Sequence, residues 1–560
     1  MIATLRFQWL LGSLLACANV VQAAGPAIQF KDESVSRGVQ DLAVNATGPT
    51  FGDYDGDGDL DVFVPVEDLA PGLHDRLFEN DGRGVFRDVA AARGVQNPGS
   101  LNRGAVFCDF DNDGDLDLLA ATMPPGGPRQ THIPTTLYRN QFRETGNATF
   151  DNVTRAAGLL RAGNDGDQKI GGIGDTAGGV ACADVDRDGD LDICWKNADG
   201  DIENALFRNE GNWTFADVTA SSGAAVQSKL KESNAQGSPN FTDVDQDGWI
   251  DLLITIERDS KVLLRNKGDG TFEDITRSRK PPSGVPFINP GYAQGACIAD
   301  YDNDGDMDVY LPLADQANRL MMSRLKEKGA LTYEDVTMKS GAGDKGGARG
   351  CTAADFDNDG DIDLYVNNGG PSNTLINDVI SDFPPFVQFY IAWEPARNTL
   401  LVNQGDGTFI DATKGSGAEG LGIGSGVGAA DINGDGFPDL FVTNRTYYSA
   451  GKQVSPQPGQ NRLFVNRGNR NGWVKVRLQG SRSNRDGIGA RITVTAGDLV
   501  QHHETTSAHG YNSTNDPVIT FGVGARTGVD RVEVRWPSGV TQTVLAPDLR
   551  KTLTIVEPAS

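Results

Sequence analysis

The sequence predicts an all-β protein: a seven-bladed β-propeller whose N-terminal strand closes the last blade, followed by a small β-sandwich domain. Three observations support this prediction. A nine-residue acidic segment occurs seven times, an aromatic-x-Asp/Asn element also occurs seven times, and both stop near residue 469, where a different strand pattern begins. Repeats of this spacing, each holding about four short strands, are typical of propeller blades rather than of helical solenoids.

The acidic segments are each followed by a short apolar run, which predicts a buried strand. They read DYDGDGDLD (53–61), DFDNDGDLD (109–117), DVDRDGDLD (184–192), DVDQDGWID (243–251), DYDNDGDMD (300–308), DFDNDGDID (355–363) and DINGDGFPD (431–439). We call them loops 1 to 7 and number their residues as positions 1 to 9.

The aromatic element lies at Phe30, Phe86, Phe150, Phe215, Phe272, Tyr333 and Phe409, each two residues before an Asp or Asn. One copy precedes the first acidic loop and none follows the last, so the two repeats are out of phase. We therefore expect residues 28–36 to complete the blade formed by residues 431–469, which removes open sheet edges. The propeller is predicted over residues 24–469 and the second domain over residues 470–560.

Acidic residues at positions 1, 3 and 5 with Gly at position 6 match the front half of an EF-hand loop. Position 12 is apolar in every copy, which excludes the EF-hand itself, but position 9 is always Asp and can supply a closing carboxylate. The backbone carbonyl of position 7 would complete an oxygen cage. Hard oxygen ligands favour Ca²⁺ over Zn²⁺ or Cu²⁺.

The predicted calcium sites comprise positions 1, 3, 5, 7 and 9 of each loop. They are Asp53, Asp55, Asp57, Asp59 and Asp61; Asp109, Asp111, Asp113, Asp115 and Asp117; Asp184, Asp186, Asp188, Asp190 and Asp192; Asp243, Asp245, Asp247, Trp249 and Asp251; Asp300, Asp302, Asp304, Asp306 and Asp308; Asp355, Asp357, Asp359, Asp361 and Asp363; Asp431, Asn433, Asp435, Phe437 and Asp439. We expect six to seven ions with a mainly structural role, and weaker binding by loop 7, where position 3 is Asn433. The alternative is seven solvated turns, whose carboxylates would repel one another without compensation.

These loops, with turns such as RNKGDGTFEDIT (265–276), resemble FG-GAP/VCBS repeats, which also form the propellers of integrin α-subunits. The resemblance covers residues 28–469 and implies a calcium-binding propeller. It does not define a function, because propellers support many activities.

After residue 469, five strand-like segments separated by turns predict a single β-sandwich. The segments SNRDGIGAR (483–491), GYNS (510–513), FGVG (521–524) and RWPSG (535–539) resemble the ASPIC/UnbV domain. Its combination with the propeller repeats resembles the cartilage acidic protein family, and a bacterial member is expected. The resemblance implies a secreted, acidic, calcium-binding protein.

The net charge is −26, from 76 Asp or Glu and 50 Lys or Arg. The seven loops hold 32 of the 76 acidic residues, so the acidity is local. Nucleic acid and anionic membrane surfaces are poor partners for such a chain, because both require a basic surface. We expect a protein or polysaccharide ligand instead.

Residues 1–23 have the pattern of a secretory signal peptide, with one Arg before an apolar stretch and small residues at a cleavage site near Ala23. A lipoprotein signal with a lipid anchor at Cys17 is the alternative. No other run is long enough to span a bilayer. The mature protein is therefore expected outside the cytoplasm, secreted, periplasmic or at the cell surface.

Cys182 and Cys194 flank loop 3 symmetrically, and a hairpin would bring them together, so the sequence predicts a Cys182–Cys194 disulfide. The alternative is that the five mature cysteines are small buried residues. His502, His503 and His509, with Glu504, allow a transition-metal site, but solvated strand and loop residues fit their spacing better.

Long connections of blades 6, 7, 1 and 2 are expected on the face opposite the acidic loops. Because aromatic residues on loops of a rigid ring suit ligand capture, we predict a ligand face there, comprising Phe386, Phe389, Tyr390, Trp393, Tyr447 and Tyr448. The alternative is that these aromatics pack beneath their own loops or against the C-terminal domain.

Two classes of function remain open. The first is a non-enzymatic, exported calcium-binding propeller that acts in adhesion or binding, or as a scaffold whose C-terminal domain recruits another protein. The second is a polysaccharide-active enzyme, because some calcium-loaded propellers with such loops resemble rhamnogalacturonan lyases. Lyase chemistry needs a base in a cleft, and the propeller contains only His74 and His132 as histidines. The first class is the preferred prediction, and no catalytic residue is assigned.

Overall fold

The computed structural model describes residues 28–40, 45–67, 73–98, 100–123, 134–160, 177–197, 203–226, 237–257, 261–276, 291–369, 371–375, 391–393, 395–446, 448–449, 452–453 and 459–559. Strands dominate these ranges, which confirms the all-β prediction. The helices within them are single turns: Ala90–Arg93, Phe142–Thr145, Leu325–Lys328 and Thr337–Ser340. No helix in the described part of the chain is long and apolar enough to cross a membrane.

Seven four-stranded antiparallel sheets occupy the described ranges up to residue 466, and we call them blades 1 to 7. Blade 1 contains Thr50–Gly52, Asp61–Val64, Arg76–Asn80 and Phe86–Asp88; blade 2 contains Leu101–Cys108, Asp117–Met123, Thr136–Asn140 and Phe150–Asn152; blade 3 contains Ala177–Ala183, Asp192–Asn197, Ala205–Asn209 and Phe215–Asp217. Blade 4 contains Pro239–Thr242, Asp251–Ile254, Val262–Asn266 and Phe272–Asp274; blade 5 contains Cys297–Ala299, Asp308–Leu311, Arg319–Ser323 and Tyr333–Asp335. Blade 6 contains Ala348–Ala354, Asp363–Asn368, Thr399–Asn403 and Phe409–Asp411; blade 7 contains Gly424–Ala430, Asp439–Asn444, Arg462–Asn466 and Phe30–Asp32.

Blade 7 is assembled from both ends of the propeller segment. Phe30–Asp32 pairs antiparallel with Arg462–Asn466, as the phase of the repeats predicts. Blade 7 also packs on blade 1, where the rings of Phe51 and Phe441 lie 6.5 Å apart at a steep angle. The first and last blades therefore share one apolar core.

A buried asparagine joins each of six blades to the preceding one. Asn140 ends the third strand of blade 2, and its side-chain amide donates to Tyr54 O of blade 1 (2.8 Å) and to Leu116 O of its own loop (3.0 Å). The equivalent residues are Asn80, Asn209, Asn266, Asn403 and Asn466. Blade 5 has Ser323 at this place.

Short paired strands decorate this ring. They are Pro371–Leu375 with Ile391–Trp393, Ala396–Arg397 with Leu421–Gly422, and Tyr448–Ser449 with Lys452–Gln453.

The predicted Cys182–Cys194 disulfide is wrong. The strand register places Cys182 opposite Ile193 and Cys194 opposite Ala181, so the two side chains point to opposite faces of the blade. Cys182 instead bonds to Cys108 on the first strand of the neighbouring blade. A second disulfide joins Cys297 to Cys351 in the same way, and Cys194 is a buried thiol.

The C-terminal domain has two sheets packed around one apolar core that includes Trp536. In the first, Gly472–Gln479 lies between Ile519–Gly524 and Thr552–Val556, the latter in parallel. In the second, the order is Leu499–Glu504, Arg491–Ala496, Arg531–Arg535 and Thr541–Leu545. Glu557 fixes the turn after the central strand by accepting the backbone N–H groups of residues 481–483 at 2.8–3.0 Å.

Residues 509–514 of this domain, here called the plug, lie among the innermost strands of the propeller. Gly510 N–H donates to Ala296 O (2.9 Å), and Thr514 N–H donates to Pro49 O (3.0 Å). Glycines line the approach, because a Cβ would lie 1.7 Å from Asn512 O at Gly48 and 2.2 Å from Gly510 O at Gly295. The plug thus occupies the centre of the ring with backbone-to-backbone contacts.

Candidate metal centres

The loops share one backbone conformation, which explains their sequence pattern. Position 6 is a glycine with a left-handed φ, from +88° to +107°, in every loop. Position 4 also has a left-handed φ in every loop; its residues are Gly56, Asn112, Arg187, Gln246, Asn303, Asn358 and Gly434. Glycine and asparagine adopt this conformation at low cost. Two such turns within three residues fold the chain tightly back, so that alternate side chains converge.

The converging side chains are the predicted carboxylates. Ligand oxygens lie within 4.8 Å of one another in the groups Asp53/Asp55/Asp57, Asp109/Asp111/Asp117, Asp184/Asp186/Asp192 and Asp243/Asp245/Asp251. Three of these groups include position 9, which supports the closing role predicted for it. Such all-oxygen groups are the ligand type that Ca²⁺ takes in proteins.

The position-9 aspartate also fixes the loop in the blade. In loop 2, Asp117 Oδ1 accepts the backbone N–H of Asn140 (2.9 Å), and its Oδ2 accepts that of Phe110 (3.0 Å). The corresponding Asp192, Asp251, Asp308, Asp363 and Asp439 make the same pair of bonds. Each oxygen keeps a second lone pair, so this side chain can bind a cation and hold the loop together.

Several loop carboxylate oxygens are buried without a hydrogen-bond partner among the described residues. At position 3 they are Oδ1 of Asp55, Asp111, Asp186 and Asp302; elsewhere in the loops they are Asp53 Oδ1, Asp61 Oδ2, Asp115 Oδ1, Asp243 Oδ1 and Asp304 Oδ2. A buried acceptor without a partner is costly. A cation coordinated by these oxygens would satisfy them, so the side chains fit a calcium ion.

Burial raises the pKa of the loop carboxyls, and neighbouring carboxylates raise it further. The pKa of Asp61 rises to about 9 and that of Asp184 to about 7. The pKa of Asp308 also lies well above its ordinary value. Close, buried negative charges are unfavourable without a compensating positive charge, which a divalent ion would supply.

A contact between successive loops was not predicted. The position-4 side chain of one loop reaches position 6 or 7 of the next: Asn112 to Gly189 and Asp190, Gln246 to Gly305 and Asp306, Asn303 to Gly360 and Asp361, and Asn358 to Gly436. Between loops 3 and 4 the Arg187 guanidinium lies over the Trp249 ring at 4.1 Å. Loops 2 to 7 are therefore linked side by side. The non-glycine residues at position 4 were the sequence feature that could have indicated this contact. Whether such a side chain reaches the next loop depends on the spacing of the blades.

The C-terminal domain contacts the acidic loops, a placement the sequence did not predict. Basic side chains pair with position-1 carboxylates: Arg477 with Asp53 (3.7 Å), Arg535 with Asp243 (2.6 Å) and Lys475 with Asp431 (3.0 Å). Acidic side chains accept position-1 backbone N–H groups: Asp486 from Asp109 (2.9 Å) and Glu504 from Asp243 (3.1 Å).

Loop carbonyls complete this interface. Gly305 O in loop 5 accepts a hydrogen bond from Arg491, and Asn358 O in loop 6 accepts one from Gly524 N–H at 2.8 Å. In loop 3, Gly189 approaches Arg482 O so closely that a Cβ would lie 3.1 Å from it. The domain therefore contacts every loop. Its contacts depend on the backbone conformation of the loops as well as on their charge.

The three C-terminal histidines are more buried than expected. His509 lies in the plug and is 9% exposed, while His502 and His503 are half-buried against the propeller face. Burial lowers the pKa of His503 to about 4 and that of His509 to about 3. Both imidazoles are therefore neutral at pH 7.

Four residues of the predicted ligand face lie outside the described residues: Phe386, Phe389, Tyr390 and Tyr447. Trp393 and Tyr448 belong to the short strands Ile391–Trp393 and Tyr448–Ser449. The signal peptide, Cys17 and His132 also lie outside the described residues.

Two family models match the chain. An FG-GAP-like repeat matches residues 243–311 and 388–442, and the ASPIC and UnbV domain matches residues 480–560. The first match falls on blades 4 to 7, and the second falls on the C-terminal domain.

Similarity to solved structures is modest. An Agrocybe aegerita lectin that recognises non-reducing terminal N-acetylglucosamine is 16% identical with a TM-score of 0.35, covering 76% of this chain and 91% of that one. Rhamnogalacturonan lyase YesW is 14% identical with a TM-score of 0.36, covering 77% of this chain and 75% of that one.

Among curated proteins, cartilage acidic protein 1 of Mus musculus is 24% identical over 467 residues, which are 81% of this chain and 64% of that protein. The Homo sapiens protein is 24% identical over 473 residues, 81% of this chain and 63% of its own length. The chain thus matches less than two thirds of either relative. It carries FG-GAP-like repeats and an ASPIC and UnbV domain, and it is homologous to cartilage acidic protein 1.

Proposed function

We propose that this chain is an exported calcium-binding protein that acts as a binding or adhesion module, with calcium in a structural role. The observation that carries the proposal is the recurrence of one loop geometry, with buried carboxylate oxygens left without partners, at the interface between the two domains. Bound calcium would supply the positive charge that these loops lack. Its ligands would be positions 1, 3, 5 and 9 and the position-7 carbonyl.

Calcium would also support the docking of the C-terminal domain. That domain binds loop backbone groups such as Asn358 O and Asp109 N–H, whose positions depend on the loop conformation. An ion that binds only the ordered loops stabilises whatever requires them, by about 2.7 kcal/mol per site when free calcium is 100-fold above Kd. The plug would be held in the ring by the same coupling.

A protein or polysaccharide partner would then use the other face of the propeller. The C-terminal domain covers the acidic loops, whereas the strand ends from which the connections of blades 6, 7, 1 and 2 start lie at the opposite ends of the blades. This assignment keeps the predicted ligand face as the site of partner binding outside the cytoplasm.

The test is calcium binding by the full mature chain. After treatment with EDTA and dialysis, calorimetric titration should give six to seven ions, and calcium should raise the melting temperature. Asp186→Ala removes a position-3 ligand and should lower the ion count by one. Asp269→Ala is the control, because Asp269 lies in an exposed turn outside the loops and accepts hydrogen bonds from its neighbour Thr271. An equal melting temperature in calcium and in excess EDTA would refute the structural role.

Hydrogen exchange tests the coupling to docking. Below the melting temperature, EDTA should speed exchange of the plug amides of residues 510 and 514 more than exchange of the blade-centre amides. Equal exchange with and without calcium would show that docking is independent of the ions.

A further inference from the structure

A cavity of about 430 Å³ lies between the propeller and the C-terminal domain. Blades 6, 7, 1 and 2 form one side, and residues 477–520 of the C-terminal domain form the other. Its volume falls within the range of small-molecule sites, which runs from about 300 to 1,000 Å³. Arg477, which lines it, has a side chain that is 42% exposed, so the cavity reaches solvent at that edge.

The wall on the propeller side is partly apolar. Phe51 and Phe107 line it, together with Leu60 and Leu116. Phe51 is 3% and Phe107 8% exposed, so both rings are held in place by the blades. Only a small part of each ring can therefore contact a ligand in the cavity.

Two histidines of the C-terminal domain also line the cavity. His509 is 9% exposed, and its Nε2 is buried without a hydrogen-bond partner among the described residues. His503 has its Nδ1 2.9 Å from Glu504 O, which assigns the proton to Nδ1 and leaves Nε2 as an acceptor. A buried ring nitrogen of this kind is available for a hydrogen bond to a bound ligand.

The charged groups of the lining have both signs. Among the described residues the lining holds six carboxylates and three guanidiniums. Four of the carboxylates, Asp53, Asp109, Asp355 and Asp431, are position-1 ligands of the proposed calcium sites that a bound ion would neutralise, which leaves Asp486 and Asp516 to face the guanidiniums. A polyanion would meet the carboxylates, and a strongly cationic ligand would meet the guanidiniums. Hydroxyl groups suit both, because they donate to carboxylates and neutral imidazoles and accept from guanidiniums.

We propose that this interdomain cavity binds a neutral mono- or disaccharide, with the Nε2 atoms of His503 and His509 hydrogen-bonded to its hydroxyl groups. This site deepens the binding role proposed above, because it assigns a ligand class, and it is separate from the aromatic face that a macromolecular partner would use. Its walls come from both domains, so binding would also strengthen their docking.

The test uses the full calcium-loaded chain and calorimetric titration with glucose, galactose, mannose, N-acetylglucosamine, cellobiose and lactose. Glucuronate and glucosamine serve as the anionic and cationic probes. At least one neutral sugar should bind saturably, and each charged probe should bind at least tenfold more weakly than the best neutral sugar. Saturable binding restricted to glucuronate or to glucosamine would overturn the proposed ligand class.

Thr506→Trp would fill the cavity, because Thr506 lines it. Val500→Trp is the matched control, since Val500 is 36% exposed on the same domain. The first variant should weaken sugar binding at least tenfold, and the second should leave it unchanged. Both should bind the wild-type number of calcium ions.

Binding that survives Thr506→Trp would refute the cavity as the site while leaving a carbohydrate-binding protein. Calcium binding without binding of any neutral sugar would overturn the cavity proposal and leave the calcium scaffold intact. Absence of calcium binding would instead refute the function proposed above.

Discussion

The Gly48→Ala substitution should displace the plug from the ring without disturbing a blade. A Cβ at residue 48 would lie 1.7 Å from Asn512 O, whereas an ordinary contact begins at 3.4 Å, so the two atoms must separate by about 1.7 Å. Gly48 lacks a positive φ, so alanine fits its backbone. The cost therefore arises at the contact with the plug.

Neighbouring hydrogen bonds set the size of the effect. Thr514 N–H donates to Pro49 O at 3.0 Å, and Thr514 Oγ1 accepts the Phe51 N–H at 2.9 Å. A displacement of that size breaks both bonds, each worth about 1 kcal/mol, and overpacking adds about 1–3 kcal/mol. We expect docking to weaken by about 3–5 kcal/mol.

Hydrogen exchange measured by mass spectrometry provides the assay. In Gly48→Ala, peptides covering residues 507–516 should exchange at least 100-fold faster at saturating calcium, while the blade strands keep their protection. Gly528→Ala is the control, because a Cβ there meets nothing within 4 Å. Unchanged exchange of the plug in Gly48→Ala would refute the inference that a close backbone approach holds it.

Three further predictions concern stability. Asn403→Ala leaves buried carbonyls without their amide donor and should lower the free energy of unfolding in urea by about 2–4 kcal/mol. A loss below about 1 kcal/mol would contradict the role of this asparagine in joining two blades. Replacing Cys297 and Cys351 together by Ser opens a loop with a sequence separation of 54 residues and should cost about 4 kcal/mol; an unchanged melting temperature would contradict that estimate. Burial alone would raise the pKa of Glu557, but hydrogen bonds from residues 481–483 and from a nearby Ser hydroxyl outweigh it and lower the pKa to about 2. The stabilising effect of the Glu557 carboxylate should therefore be complete above about pH 4.5 and be lost as the pH falls towards 2. The difference in unfolding free energy between wild type and Glu557→Gln should accordingly vanish near pH 2. A difference that grows on acidification would contradict this prediction.

The loops were predictable because their determinants are local. Carboxylates at alternate positions with Gly at position 6 define the turn within nine residues, and the position-9 aspartate is visible in each copy. The phase of the two repeats likewise predicts the pairing of Phe30–Asp32 with Arg462–Asn466. In both cases the residue pattern alone is enough to predict the local structure.

The features that were missed depend on distances between blades. Cys182 and Cys194 flank one loop symmetrically, but a one-residue register difference turns them to opposite faces, and Cys182 meets Cys108 of another blade. The hydrogen bonds of the position-4 side chains and of the buried asparagines also join neighbouring blades. The spacing of residues along the chain does not give the distances between blades on which these contacts depend.

The docking of the plug is the longest-range case. The GYNS segment of the plug contains no repeat. The glycines that surround it belong to parts of the propeller that are far apart in the sequence. The placement follows only when the ring exists. The same applies to His509, whose burial arises from the contact between the domains rather than from its own segment.

Charge and order make opposite contributions to the interface between the domains. Residues 470–560 carry 11 Lys or Arg against 8 Asp or Glu, so a slightly basic domain faces loops that hold 32 acidic residues. Six or seven calcium ions would cancel 12 to 14 of those charges and weaken the general attraction. The contacts at Asn358 O and Asp109 N–H, however, require a fixed loop backbone. Because screened attraction between exposed charges is worth about 1 kcal/mol or less per pair, whereas each bound ion contributes about 2.7 kcal/mol to the ordered loops at 100-fold saturation, ordering should prevail and calcium should strengthen docking.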